Sequence, residues 1–204
     1  RQLSLVQSVS EQIANMTELD DLCLKVTHLI HELFEFYYVA IYILDDTDGQ
    51  LHLRAMQHLA DCVDFTPAQV IERGAGIIGY VGETGHELLA PDVHNEPHYR
   101  FIDCLPETKA ELALPLKTED RIFGVLDLQS DRLNGFHQND LTVLRALANN
   151  IALAIESADL YQDLQQRINQ IETIVQFSQA LTSILDLDKL IEKVAQLIHD
   201  RFGY

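Results

Sequence analysis

The 204-residue chain is 47% apolar and 23% charged, a balance that fits a folded globular protein and excludes disorder along its length. A net charge of −18 with no Lys/Arg cluster repels a phosphate backbone and excludes a nucleic-acid binder, and no apolar run is long enough to insert into a membrane. Three cysteines, Cys23, Cys62 and Cys104, form no CxxC pair, which argues against a disulfide framework or a structural zinc site and for a reducing, cytoplasmic setting.

The first residues, Arg1-Gln2-Leu3-Ser4, show neither a secretory pattern nor an initiator Met, so the chain reads as a fragment. Residues 1–16 read as the end of an upstream linker helix. Thr17 followed by Glu18 and Asp20 is a helix-start signal, and Leu22, Val26, Leu29, Ile30 and Leu33 then share one helical face. The β-branched run from Val39 to Leu44, turn chemistry at Asp48-Gly49, and alternation at Leu51, Leu53 and Ala55 predict a β-hairpin. A Gly-rich stretch with Gly74, Gly76, Gly79 and Gly82 follows, its glycines attributed to close packing and turn geometry. A short strand is expected over 87–92, then a polar loop to about Asp103 of the kind that often binds ligands. Residues 111–116 and 122–128 flank a charged turn and predict a second hairpin, with Pro115 at an edge or bulge.

After Asn134-Gly135 comes the longest periodic segment. Ile151, Ala154, Ala158, Tyr161, Leu164, Ile168, Ile171 and Val175 continue a near-heptad stripe from Leu147, with one skip near Tyr161. A helix continuous to about Ile184 would extend roughly 70 Å. Packing on the chain's own sheet accounts for the stripe to about Ile155, and a parallel partner helix is expected to bury the rest. At a shift of 168 residues the end of the chain resembles its beginning: Ser10, Leu19, Asp20, Leu22, Lys25, Val26, Leu29, Ile30, His31 and Phe34 recur at 178, 187, 188, 190, 193, 194, 197, 198, 199 and 202. This repeat predicts one whole module over 17–155, a coiled-coil-like linker helix over 156–184, and the first helix of a second, truncated module over 185–204. His31, recurring as His199, is expected to be structural.

In order and spacing, Gly74-Ala-Gly-Ile-Ile-Gly-Tyr80, Pro91 to Phe101, Glu111-Leu-Ala-Leu-Pro115, Gly124 to Ser130, and Phe136 with Asp140 resemble bacterial GAF domains over about Thr17 to Tyr161. The resemblance implies an α+β, GAF/PAS-like antiparallel sheet flanked by helices, with long N- and C-terminal linker helices. It also implies a pocket under loops, homodimerisation through terminal helices, and an output domain such as a histidine kinase or cyclase. On that basis the ligand is expected between Ile78, Tyr80, Tyr99, Arg100, Phe101, Glu111 and Asp127, with Arg100 facing a ligand anion.

Subtypes separate residue by residue. Cyclic-nucleotide-binding members carry Asn-Lys, then Phe and Asp-Glu, where this chain has Ser130, Asp131, Phe136, Asp140 and Leu141; cyclic nucleotide is disfavoured. No Cys-His pair stands near His98, which argues against a covalent bilin. Free methionine-R-sulfoxide reductase is a GAF-fold enzyme whose attacking cysteine falls at Cys104 and whose substrate-holding acids match Glu111 and Asp127. Its thiol in the Gly-rich stretch corresponds to Ile78, and recycling needs a second thiol. Asp92, His94 and His98 are read as solvated loop residues rather than metal ligands. The chain is therefore expected to be a sensor domain that is no enzyme, holding no metal and an unidentified ligand. A ligand-free dimerising spacer and the thiol reductase are the alternatives.

Overall fold

In the computed structural model the described residues are 19–58, 70–119 and 121–203, the side chains of 180–188 excepted. The run Tyr-Val-Ala-Ile-Tyr-Ile-Leu forms β1 (Tyr38–Leu44), whose β-branched and aromatic side chains suit a strand covered on both faces. It pairs antiparallel with β2 (Leu51–His58) on one side and β6 (Ile122–Ser130) on the other. With β3 (Val70–Ile71), β4 (Leu88–Ala90) and β5 (Ala110–Lys117), the six-stranded antiparallel sheet has the order β3-β2-β1-β6-β5-β4. Both predicted hairpins are present. β4 pairs β5 only as far as Ala113, so Pro115 has no ladder partner on that side and its missing N–H breaks no sheet bond there.

Period two sorts the side chains to two cores. Val39, Ile41, Leu112, Leu114, Leu126 and Leu128 pack beneath α1 (Leu19–Phe34) and the start of α3 (Gln138–Phe202). Tyr38, Ala40, Tyr42, Ala113 and Val125 face the other way, under α2 (Gly76–Thr84) and the loops. One expectation fails locally. Leu51, Leu53 and Ala55 alternate as if they shared a face, but a bulge between Ile41 and Tyr42 pairs Ile41 with Ala55 and Tyr42 with Leu53. Arg54 is the extra residue, and it sends Ala55 to the helix side while Leu51 packs on the other.

α1 buries Leu22, Cys23, Val26, Thr27 and Ile30, a face turned from the predicted one, and Leu33 stays 38% exposed. The Thr27 hydroxyl is satisfied by the carbonyls of Cys23 and Leu24, both at 3.0 Å, which lets it sit in the core. α2 forms where four glycines gave no helical signal. Gly74 and Gly76, at φ 80° and 71°, make the entry turn, and Gly79 lets the 72–74 backbone lie directly on the helix: a Cβ there would collide with the carbonyl of Glu72.

The chain divides into two units, Arg1–Ala158 and Asp159–Tyr204. In the first, α3 buries Leu141, Leu144, Leu147, Ile151, Ala154 and Ile155, and Ala158 is buried as well. Ile151, Ala154 and Ala158, expected on a dimer seam, are therefore used up inside the domain, which carries intramolecular burial past Ile155. In the second unit Tyr161, Leu164, Ile168, Ile171 and Val175 are exposed. Helical geometry continues through residue 185, where a new helix was expected to begin; the expected linker helix over 1–16 lies outside the described residues. Among the described residues no helix is long and apolar enough to cross a membrane.

Candidate functional site

A cleft of about 360 Å³ opens on the α2 side of the sheet. Its walls are β3, the N-terminal turn of α2 (Ala75 to Ile78), and Arg100 with Ile102; Glu111 of β5 reaches it from the sheet. Gly76 takes φ 71°, a conformation glycine adopts freely, where the chain enters α2 beside Arg100. The α2 N-terminus has no side-chain cap, so its free amides leave a positive helix end at the cleft.

Beneath the cleft lies a buried polar cluster. Glu111 is 4% exposed and Asp127 wholly buried. Strand register explains their meeting: Asp127 lies opposite Ala113, two residues along β5 from Glu111, so both acids project from one face. Thr108 Oγ1 donates to Gln129 Oε1 at 2.7 Å, and Gln129 Nε2 donates to Asp127 Oδ2 at 3.0 Å, which fixes the carboxylate's orientation. Asp127 Oδ1 receives no amide or hydroxyl hydrogen bond from the described residues. The two carboxyls interact directly, and burial, then mutual repulsion, pushes Glu111 well above the usual carboxylate range; burial raises Asp127 too. Both carboxyls are thereby displaced upward, so the pair as a unit holds a proton more tightly than free carboxyls do. Tyr38 and Tyr42 of β1 stand beside them, their hydroxyls kept protonated first by burial. The floor is thus an acidic pair in a medium that screens poorly, so a cationic group placed over it would be strongly attracted. Arg100, exposed above it, has no ion-pair partner among the described residues.

The predicted residues divide accordingly. Ile78, Arg100 and Glu111 line the cleft, and Asp127 lies beneath it. Tyr99 is half-buried and its hydroxyl meets Thr108, which joins it to the polar cluster rather than to the cleft wall. Tyr80 packs against His98 with ring centroids 4.4 Å apart and planes tilted by 41°, and Phe101 is 64% exposed; neither lines the cleft. Sequence reasoning missed Tyr38, Tyr42, Thr108 and Gln129. Extending the period-two parity of Asp127 along β6 would have found Gln129; Thr108 lies in a loop and had no signal.

Cys104 is half-buried and reduced, in a turn closed by the Leu105 N–H to the Ile102 carbonyl at 2.9 Å, two residues from the cleft wall. Cys23 lies on the opposite face of the sheet with its thiol pushed up to about 12 by burial, so it is no thiolate near neutrality. Cys62 lies outside the described residues. Asp92 accepts the N–H of His94 and the amide of Asn95, while His98 pairs with Glu96 at 2.8 Å; the three loop residues do not converge. Asp45 and Asp48 of the β1–β2 turn lie close to His52 of β2, but the two carboxylates accept the N–H of Thr47 and of Gln50 and so cap the turn, and His52 pairs with Asp48 at 2.8 Å. Phe136 packs on Phe36 in the helix-side core, away from the cleft.

The sequence profile of the GAF domain family matches residues 18–155. The chain belongs to this family. GAF domain-containing protein A of Dictyostelium discoideum is 33% identical over 149 residues, 72% of this chain and 84% of that protein. The free methionine-R-sulfoxide reductase of Saccharomyces cerevisiae is 33% identical over 84 residues, covering 41% of this chain and 46% of the enzyme. The substrate complex of the Neisseria meningitidis free methionine-R-sulfoxide reductase superposes with a TM-score of 0.66 at 24% identity, over 76% of this chain and 89% of that one. These two enzymes overturn the expectation that a GAF chain of this kind is no enzyme: a relative and a protein of the same fold both catalyse a reaction.

Proposed function

We propose that this GAF domain binds a small molecule that carries both an ammonium and an anionic group, in a bacterial signalling protein with a second domain of the same kind. The ammonium sits over the Glu111–Asp127 pair, and the anion meets Arg100 and the amides at the start of α2. The buried carboxyl pair under an open cleft carries the reading. Two acids held away from water destabilise a sheet that could be apolar there, whereas a cationic ligand group neutralises them. Binding favours one arrangement of paired α3 helices and so reaches an output domain such as a histidine kinase or cyclase. Among the described residues no cysteine stands at the floor to hold a covalent bilin, and the carboxyl pair disfavours a phosphate placed directly over it.

Calorimetric titration with free amino acids, including methionine sulfoxide, and with nucleotides and tetrapyrroles tests it. Amino acids are expected to bind, and Glu111→Gln or Arg100→Ala each to weaken binding at least tenfold, which corresponds to about 1.4 kcal/mol. Binding unchanged in both variants refutes the placement, and no binding of any compound leaves a ligand-free dimerising spacer.

A second reading is reduction of free methionine sulfoxide, favoured by the yeast relative and by Cys104 beside the cleft wall. Cys104 would take the sulfoxide oxygen while keeping one proton, so its sulfur is oxidised to a sulfenic acid and the sulfoxide is reduced to free methionine; an added dithiol then reduces the sulfenic acid to the thiol, releasing water and itself becoming a disulfide. Turnover with dithiothreitol that disappears in Cys104→Ser supports it. Equal rates in parent and variant remove it.

A further inference from the structure

Residues 187–202 repeat residues 19–34, and the burial pattern of α1 shows what the repeat keeps. The five side chains that α1 buries, Leu22, Cys23, Val26, Thr27 and Ile30, have the counterparts Leu190, Ile191, Val194, Ala195 and Ile198. All five are apolar, and the thiol and hydroxyl of α1 have become hydrocarbon. The two large apolar residues that α1 leaves exposed, Leu24 and Leu33, are matched by Glu192 and Arg201. Substitution thus follows burial position by position, which helical amphipathicity in general would not require.

The face is also the wrong shape for simple helix pairing. A two-stranded coiled coil needs a narrow stripe of alternating three- and four-residue steps. Here adjacent residues, 190 with 191 and 194 with 195, widen the stripe to what a helix needs when it lies across a sheet. In this chain Leu190, Ile191, Val194 and Ile198 are 47% to 59% exposed, whereas Leu22, Val26 and Ile30 are at most 1% exposed under α1 against β1 and β2.

We propose that residues 187–202 are a sheet-covering helix whose apolar face docks on the open face of an antiparallel sheet in a second unit of this same family, seated as α1 is seated on its own sheet. The proposal rests on the tandem part of the reading above and is independent of the ligand, so failure of the binding experiment leaves it standing and its own failure leaves the cleft untouched. The complementarity is apolar: a helix face with hydrocarbon at every buried α1 position meets strands whose inward residues are Val, Ile and Leu.

The test exchanges Leu19–Phe34 in the full chain for a copy of residues 187–202. One cooperative thermal transition is expected, within about 10 °C of the parent, because three of the five buried side chains are unchanged and the other two become hydrocarbon, one larger and one smaller than the residue it replaces. A control exchange that also carries Val194→Asp and Ile198→Asp in the transplanted copy should lose the transition. An exchange that loses it as the control does overturns the proposal. A second measurement does not depend on the chimera's folding: Val194→Cys in the otherwise unaltered chain should react with a thiol reagent as fast as the denatured chain, at every protein concentration. Protection that grows with concentration would assign the face to a second copy and overturn the proposal.

Discussion

Replacing Asp127 by Asn removes the charge of the buried pair while keeping the side chain's shape and an oxygen to accept from Gln129. In the folded protein burial raises Asp127 from 3.8 to about 7. The folded state therefore binds the proton more tightly than the unfolded chain, so the stabilisation it brings is complete below pH 4 and is lost as pH rises toward 7. Each unit of displacement corresponds to about 1.4 kcal/mol, giving a ceiling of about 4 kcal/mol. Because one proton is shared with Glu111, about 2 to 4 kcal/mol is the expected loss. For a chain of this size that is a fall of about 5 to 15 °C in Tm. Melting curves of parent and Asp127→Asn are to be recorded from pH 4 to pH 8. Titration of the many surface carboxylates affects both proteins, so the difference between them isolates the buried site. The variant should gain on the parent as pH rises, mostly between pH 4 and 7. A gap in Tm that is the same at pH 4.5 and pH 8 would show that the pair does not hold a proton, and would withdraw the electrostatic argument for the cleft floor.

Gly79→Ala should destabilise by about 1 to 3 kcal/mol in denaturant unfolding, because the added methyl meets the Glu72 carbonyl and backbone must move; an unchanged midpoint would mean that the 72–74 segment is not held against α2. Leu164→Asp combined with Ile168→Asp should convert a dimer to a monomer in sedimentation while leaving the Tm of the first unit unchanged. A parent that already sediments as a monomer contradicts the paired-helix part of the proposal.

The hairpins were legible because β-branched runs, alternation and Asp-Gly turn chemistry are local signals that the sheet merely assembles. The bulge at Arg54 was not, since the extra residue is defined by pairing with β1 and leaves no mark in β2 alone. α2 was hidden for the opposite reason. Its glycines lower helix propensity, and what overrides them is burial of Ile77, Ile78 and Val81 against strands distant in sequence. Similarly, the stripe of α3 has the same period on both sides of Ala158, and only the sheet decides which part is already covered.

Sequence alone determined the family, the two hairpins, the long terminal helix and the two acids on neighbouring strands, because each rests on residue identity and short-range spacing. Tertiary structure decided that Glu111 opens on a cleft, that Asp127 is sealed beneath it, and that Phe101 and Tyr80 stand outside. Those outcomes depend on which surfaces α2 and the loop before β5 exclude from water, and the cost of a charge is set by its surroundings rather than by its position in the chain.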